Sequence, residues 1–537
     1  MTRTRALFWM VVVLLGAWAI RWAAVTGPLS TLESDESVAG LMALAILRGE
    51  RPVFYWGQPY LGAIEMYLTA ATFFFAGVSP FTFKFVPVVT SVLFVATTYQ
   101  VGRLYFNRQV GVLSAGFASV ALLLVIRGVK GTGYGPVLVL GNLALWQIAH
   151  YHKNREVAPL QQNAIRIGLL GVTSGLLFWA HPMGLVYIVP ILGWLAQYEL
   201  SLAHSHHLSS LKWIPLAIAG FLLFATGSAI GMLPLLWENA HTGWQTFGLL
   251  GGAGASPPDW LARIYDFRTT FPLLLGVLQP TSNVAGFWDQ AAARPGAYWI
   301  GLALGTGFGL WLLIELIRAG WHFGRTQETR PEWLLLYAIV ATCLFTVASR
   351  FSSFTEPRYL LPLYSCTPFF FGRLAQMRFR RFTLSTAQLL GLGLPLILIN
   401  LVGLATIDPS LNMPYIEGKP YPADLTPIVR HLKNGKVDAA YADYWICYRL
   451  MFETKEDVQC ATIAGLDGGW NRHPQYAAAV DAAPDPAWIF VAASKFDLEF
   501  ERALDTSHIE YSRTESGGYS LYLDMNQRLY PAQLTAR

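Results

Sequence analysis

What most constrains this chain is a recurring pattern of apolar runs of about 20 residues, the length a helix needs to cross a hydrocarbon core of about 30 Å. Such runs lie near residues 6–25, 82–103, 110–126, 133–150, 165–180, 183–199, 212–235, 297–318, 333–350, 359–373 and 384–405, with charged punctuation between them. The expected fold is therefore a polytopic α-helical membrane protein with about eleven spans. Composition agrees that lipid is the solvent: with 54% hydrophobic and 13% charged residues, the chain has too little polar surface to cover itself in water. A net charge of +5 does not point to nucleic acid, because Lys and Arg flank apolar runs and form no basic stretch with interleaved aromatics.

Short loops keep their Lys and Arg on the cytoplasmic side. One face collects Arg3, Arg5, Arg103, Arg108, Lys153, Arg155, Lys212, Arg318, Arg325, Arg330, Arg373, Arg378, Arg380 and Arg381, at every second loop. An odd number of spans then puts the N-terminus in the cytoplasm and the C-terminal part outside. Arg3, Arg5 and Ala17-Trp18-Ala19 resemble a cleavable signal, but the run continues through Val25, so it is read as an anchor. The stretch 60–78 would break the charge alternation if it crossed, so it is expected to lie on the outer face or dip into it. The membrane part is thus 1–405, with long outer segments 26–81 and 236–296.

From 406 to 537 the texture becomes that of a soluble α/β domain. Strand-like runs at 437–442, 458–463, 487–492 and 520–523 alternate with helical ones at 425–432, 444–453 and 496–504. No Gly-rich phosphate loop opens a helix there, so a dinucleotide site is not indicated. The domain is expected to act as a cap or acceptor-binding lid. Cys447 and Cys460 sit on neighbouring elements where an outside compartment permits a bridge, whereas Cys343 and Cys366 fall in apolar spans and read as core.

Function has to come from polar groups placed where the membrane makes them costly or an outer loop presents them. The first is Asp35-Glu36, ahead of an amphipathic run; Ser34 or Asp35 is expected to cap that helix. The second is Gly57-Gln58-Pro59-Tyr60-Leu61-Gly62 with Glu65 a turn later, where Tyr55 and Trp56 read as an interfacial aromatic belt. The third is the loop Arg127 to Tyr134, whose glycines, Arg127 and Lys130 suit either a phosphate or a tight hairpin with snorkelling cations. The fourth is Arg358-Tyr359, where Arg358 runs against the charge rule and Glu356 is a plausible ion-pair partner. His204, His206 and His207 read as a solvated cytoplasmic loop.

In their order and sidedness these motifs resemble the bacterial membrane glycosyltransferases of the C-type fold, and within them family 39, which contains the protein O-mannosyltransferases and the aminoarabinose transferases of lipid A. The resemblance implies sugar transfer from a polyprenyl-phosphate donor to a lipid, glycan or protein acceptor at the outer face of the cell (inner, plasma) membrane. It implies an inverting displacement with Asp35 as base and Glu36 as its neighbour. Arg358, Lys130 and Arg127 would hold the donor phosphate, and Gln58, Tyr60, Glu65 and Tyr359 would contact substrate. Related enzymes often place a further acid in the second outer loop, yet no carboxylate stands between Val125 and Tyr134. No metal is therefore assigned, although a divalent ion fits the class and His181 and His241 are lone candidates. The competing class is a transporter or lipid flippase, against which stand the one-sided clustering of charges and the lack of an internal repeat. A non-catalytic assembly protein is a third class, and it would not need Asp35.

Overall fold

The computed structural model describes residues 1–205, 210–250, 259–277, 297–349, 357–376, 378–379, 382–383, 386–463 and 470–534. Glu356, His206 and His207 lie outside the described residues, so the Glu356–Arg358 pair has no structural account.

Each of the eleven apolar runs contains helix over its described part. Among the described residues six helices are both long and apolar enough to cross a membrane: Arg3–Thr26, Pro80–Tyr105, Leu160–Ala180, Pro182–Ser205, Ile214–Gly231 and Trp299–Thr326. A seventh span results if Arg108–Val120 and Leu122–Gly128, bent by 65°, count as one. The others depart from the simple picture. Trp333–Ala348 has only 16 residues, and the run 359–373 is a 3-10 segment, Pro357–Cys366, followed by the short helix Thr367–Gln376. Proline at positions 357 and 362 denies that segment backbone donors and favours the tighter turn.

The break at Ala121 would strand backbone groups in an apolar interior, and two buried polar side chains meet them. Arg21 of the first helix donates to the carbonyls of Ser119 (2.9 Å) and Ala118 (3.2 Å). Asn400 accepts from the amide of Leu122 (2.7 Å) and donates to the carbonyl of Leu275 (2.9 Å). Elsewhere close packing comes from small residues. A Cβ on Gly171, Gly175, Gly227 or Gly231 would run into the backbone of the facing helix, so Leu160–Ala180 and Ser210–Gly231 touch main chain to main chain.

The C-terminal part folds as a small five-stranded sheet: β1 (Ala439–Ala442), β2 (Gln459–Thr462), β3 (Ala487–Val491), β4 (Ser512–Ser516) and β5 (Tyr519–Leu523). The order is β2-β1-β3-β5-β4, with β1 parallel to β2 and β3, and β5 antiparallel to β3 and β4. The parallel strands need helical crossovers, which Tyr444–Glu453 and Pro474–Ala482 supply. A disulfide joins Cys447 on the first of these helices to Cys460 on β2, while Cys343 and Cys366 are free.

The sheet domain is fused to the segment between the helices Arg3–Thr26 and Pro80–Tyr105. Val38, Leu41 and Met42 of helix Ser34–Leu47 share one apolar core with Cys447, Leu450 and Phe452. At Gly40 a Cβ would overlap the Phe452 ring, so the two helices approach as closely as only glycine permits. The stretch expected to dip into the outer face is the 13-residue helix Ile64–Ala76, packed on Ser34–Leu47 and Pro80–Tyr105.

Candidate functional site

Helix Ser34–Leu47 starts with a capping box in which Glu33 is the N-cap and Glu36, three residues on, returns its carboxylate to the Glu33 amide (3.4 Å). The cap expected from Ser34 or Asp35 is thus supplied one residue earlier. Ser34 instead donates to the Trp445 carbonyl (2.9 Å), and Asp35 keeps its carboxylate for other partners. That side chain is 32% exposed. Its Oδ1 accepts from the Tyr444 hydroxyl (2.5 Å) and lies 3.7 Å from the Arg472 guanidinium. Burial and the Asp35 charge hold the Tyr444 hydroxyl above its ordinary range, so it acts as a donor there.

Arg472 organises the rest. It lies over the rings of Tyr55 (5.6 Å), Tyr444 (5.4 Å) and Trp470 (5.1 Å). Gln58, with its amide oxygen turned toward it, accepts from both terminal nitrogens (3.1 and 3.2 Å). Gly57 has φ +71°, and a Cβ there would press on the Arg472 side chain. Tyr55 donates to the Asp35 carbonyl (2.9 Å). Tyr55, read from sequence as part of an aromatic belt, is therefore a member of the Asp35 cluster.

Beneath Asp35 lies a buried charge layer. Glu36, with no exposed side chain, pairs with Lys84 (2.6 Å) and accepts from the Gly131 amide (3.1 Å). Lys130 pairs with Glu33 (3.0 Å). The cationic loop Arg127 to Tyr134 thus meets the acids of helix Ser34–Leu47 and its N-cap, and Lys130 faces Glu33. Arg127 is buried in the short helix Leu122–Gly128. Glu65 is buried too; it accepts from the Gly133 amide and is absent from the walls of both cavities described below. Among the nine sequence candidates, the structure brings Asp35 together with Gln58, places Glu36 with Lys130 in the charge layer, and sets Glu65 at Gly133.

Burial pushes the Glu65 carboxyl up to about 8, the Gly133 amide opposing it. A raised folded-state value means the folded protein holds a proton that the unfolded chain releases. Stability from this group is complete below about pH 4.5 and is lost as pH rises toward about 8. Thermal unfolding in one detergent at pH 5 and pH 8.5 should therefore show a smaller loss of Tm for Glu65→Gln than for wild type. Equal losses would mean that Glu65 is ionised in the fold.

Across the turn at Pro59 lies a cavity of about 330 Å³, lined by Tyr60, His181, Leu185, Leu249, Phe345 and Tyr359 among others. The His181 ring centroid is 5.8 Å from that of Tyr60 and 6.2 Å from that of Tyr359. Half-buried Arg358 stands over Tyr359 (5.5 Å), and its charge reaches His181 and Tyr60. Burial, then Arg358, lowers His181 to about 3, which keeps the imidazole neutral. Tyr60 also feels Arg472 and Asp35, so it bridges the two clusters. Besides Ser349, the remaining described lining residues are apolar.

His181 accepts from the Met183 amide (2.9 Å) and His241 bonds the Trp237 carbonyl of its own helix (2.7 Å). Among the described residues no three His, Cys, Asp or Glu side chains converge on a metal-sized site. Tyr444, Arg472, Lys84 and Glu33 were not singled out in the sequence. Glu33 alone carried a signal there, the Glu-x-x-Glu spacing of a capping box.

No protein-family model matches the chain, and no curated protein sequence does. Solved structures do. The chain is similar to ArnT from Cupriavidus metallidurans in the apo state, with TM-score 0.59 and 10% identity over 97% of this chain and 98% of that one. It is similar to the same protein bound to undecaprenyl phosphate, with TM-score 0.58 and 12% identity over the same shares. The oligosaccharyltransferase of Archaeoglobus fulgidus in the apo form aligns with TM-score 0.51 and 14% identity over 91% of this chain and 70% of that one. The C-type fold of a multi-pass membrane protein with a small C-terminal sheet domain is thereby shown.

Proposed function

We propose that this protein of the C-type fold is an integral membrane glycosyltransferase that moves a sugar from a polyprenyl-phosphate donor to an acceptor hydroxyl at the outer face, with inversion and with Asp35 as base. The observation that carries this reading is the setting of Asp35. Its helix is capped by another residue, its carboxylate is reachable from solvent, and Tyr60, which feels its charge, lines a cavity beside Arg358. The fold likeness to an ArnT solved with undecaprenyl phosphate supports a donor of that class.

In the proposed step the acceptor oxygen forms its bond to the anomeric carbon while its proton passes to Asp35, and the bond from that carbon to the phosphate oxygen breaks. The lipid phosphate leaves as a stable anion and needs a cation more than a proton, a role for Arg358. Tyr60 and Tyr359 line the donor side. Lys130 and Glu36 act from behind, by fixing the loop and helix that carry Asp35. Assignment to family 39 and division near residue 405 belong to the same proposal. A cytoplasmic N-terminus with the sheet domain outside is supported by the Cys447–Cys460 bridge, because disulfides persist in oxidising compartments.

The test is release and transfer of radiolabelled sugar from a polyprenyl-phosphate donor by purified protein in lipid. Arg358→Ala should lower turnover by about 100-fold, the usual effect of removing one group that stabilises developing charge. Equal turnover would remove Arg358 from the mechanism. Donor crossing the bilayer with its sugar intact would instead establish the transporter class.

A further inference from the structure

The chain folds a second cavity on the other side of the same turn, and its chemistry is unlike that of the first. This wider cleft, of about 470 Å³, is lined by residues 50–59 together with Glu238 and Gln245. Glu50, Gln58, Glu238 and Gln245 offer carboxylate and amide groups, and Trp56 offers a partly exposed ring. The walls are held at a fixed spacing. Buried Thr246 donates to the carbonyl of Pro59, and Asn239 grips Thr246 through Nδ2 to Oγ1 (2.8 Å) and Oδ1 to the amide (3.1 Å). The cleft also shares members with the Asp35 cluster: Tyr55 donates to the Asp35 carbonyl, and Gln58 holds Arg472.

We infer that this cleft binds the acceptor, and that the acceptor presents a neutral or amine-bearing saccharide to Asp35. The inference rests on the transferase reading above. An aromatic face with carboxylates and amides around it matches the apolar face and hydroxyl rim of a sugar ring, since each hydroxyl both donates and accepts. Among the described lining residues two acids, Glu50 and Glu238, stand against one cation, Arg51, a balance that disfavours a phosphorylated or carboxylated ligand by like-charge repulsion. The turn Gly57–Leu61 then separates an apolar donor side from a polar acceptor side, and Asp35 is tied to the acceptor side through Tyr55 and through Arg472, which Gln58 holds.

The experiment uses full-length protein in lipid, a saturating radiolabelled polyprenyl-phosphate sugar donor, and a panel of neutral, amine-bearing and phosphorylated trisaccharides. Two readings are taken: hydrolysis of the donor by water, and transfer to each trisaccharide. Glu238→Gln and Gln245→Ala, both on partly or fully exposed side chains, should raise the acceptor KM by about tenfold each, as loss of one hydrogen bond to a polar ligand does. Donor KM and hydrolysis should stay unchanged. Trp56→Ala should act in the same direction. The inference is overturned if acceptor KM is unmoved in all three variants while wild type still cleaves donor, or if phosphorylated trisaccharides are the preferred acceptors. Absence of donor cleavage by wild type would instead sink the transferase reading itself.

Discussion

Asp35→Asn should abolish sugar transfer, by about 10² to 10⁴ in turnover, the range assigned to a positioned general base, while leaving the fold and the donor affinity in place. The substitution is sterically silent. The side-chain oxygen of Asn can still accept from Tyr444, and the helix N-terminus is unaffected because Glu33 and not residue 35 provides the cap. What disappears is the capacity to take a proton and the negative partner of Arg472 at 3.7 Å. Single-turnover transfer, with donor binding measured separately, checks this. A variant that binds donor and has lost transfer supports the base; unchanged turnover takes Asp35 out of the chemistry. Tyr444→Phe gives a control of smaller expected effect, since it removes one hydrogen bond to the carboxylate and leaves the charge pair.

The membrane half was legible because lipid leaves so few options. A backbone that must satisfy its own hydrogen bonds in lipid forms helices or a closed barrel, so apolar length pointed to helix in all eleven runs, of which six or seven helices among the described residues are long and apolar enough to cross. The breaks were less legible. Ala121 is an unremarkable residue, and what permits the chain to bend there is Asn400 and Arg21 reaching in from other helices. The sheet domain was legible wherever apolar periodicity was strong, and β4 was missed because its residues alternate between partly and fully exposed positions with no apolar face. In the candidate site Glu36 and Gln58 were found near Asp35 in sequence, whereas Glu33 was passed over and Tyr55 was read as an aromatic belt. Tyr444, 409 positions away, and Arg472 were not found. A lone Tyr and a lone Arg in a soluble domain carry no local pattern, and only the docking of that domain on helix Ser34–Leu47 gives them meaning. Lys84 was hidden differently, as one cation near the end of an apolar run, where snorkelling is the ordinary explanation.

Lys84→Met is the substitution expected to cost most in stability, about 3–5 kcal/mol, the usual result of removing one partner from a buried ion pair. Lys84 and Glu36 are both almost wholly buried and 2.6 Å apart. Glu36 also accepts from the Gly131 amide and closes the capping box of the helix that carries Asp35. Without Lys84 a carboxylate is left in a low-dielectric interior, and every element tied to Glu36 inherits the strain: the Asp35 helix, the span Pro80–Tyr105 and the loop before Tyr134. Met fills the space of the lysine stem, so the loss comes from charge and not from a cavity. Glu36→Gln alone should destabilise in the same direction by leaving Lys84 unpaired. The double variant Glu36→Gln, Lys84→Met should recover much of the loss, because an amide can still accept from Gly131 and no charge remains to desolvate. Tm of the four proteins in one detergent reads out the cycle. Additive losses would show that the pair is solvated and that Asp35 is positioned by packing alone. A double variant more stable than either single one would show that the buried charge pair holds the Asp35 helix in register with the span Pro80–Tyr105 and the loop at Gly131.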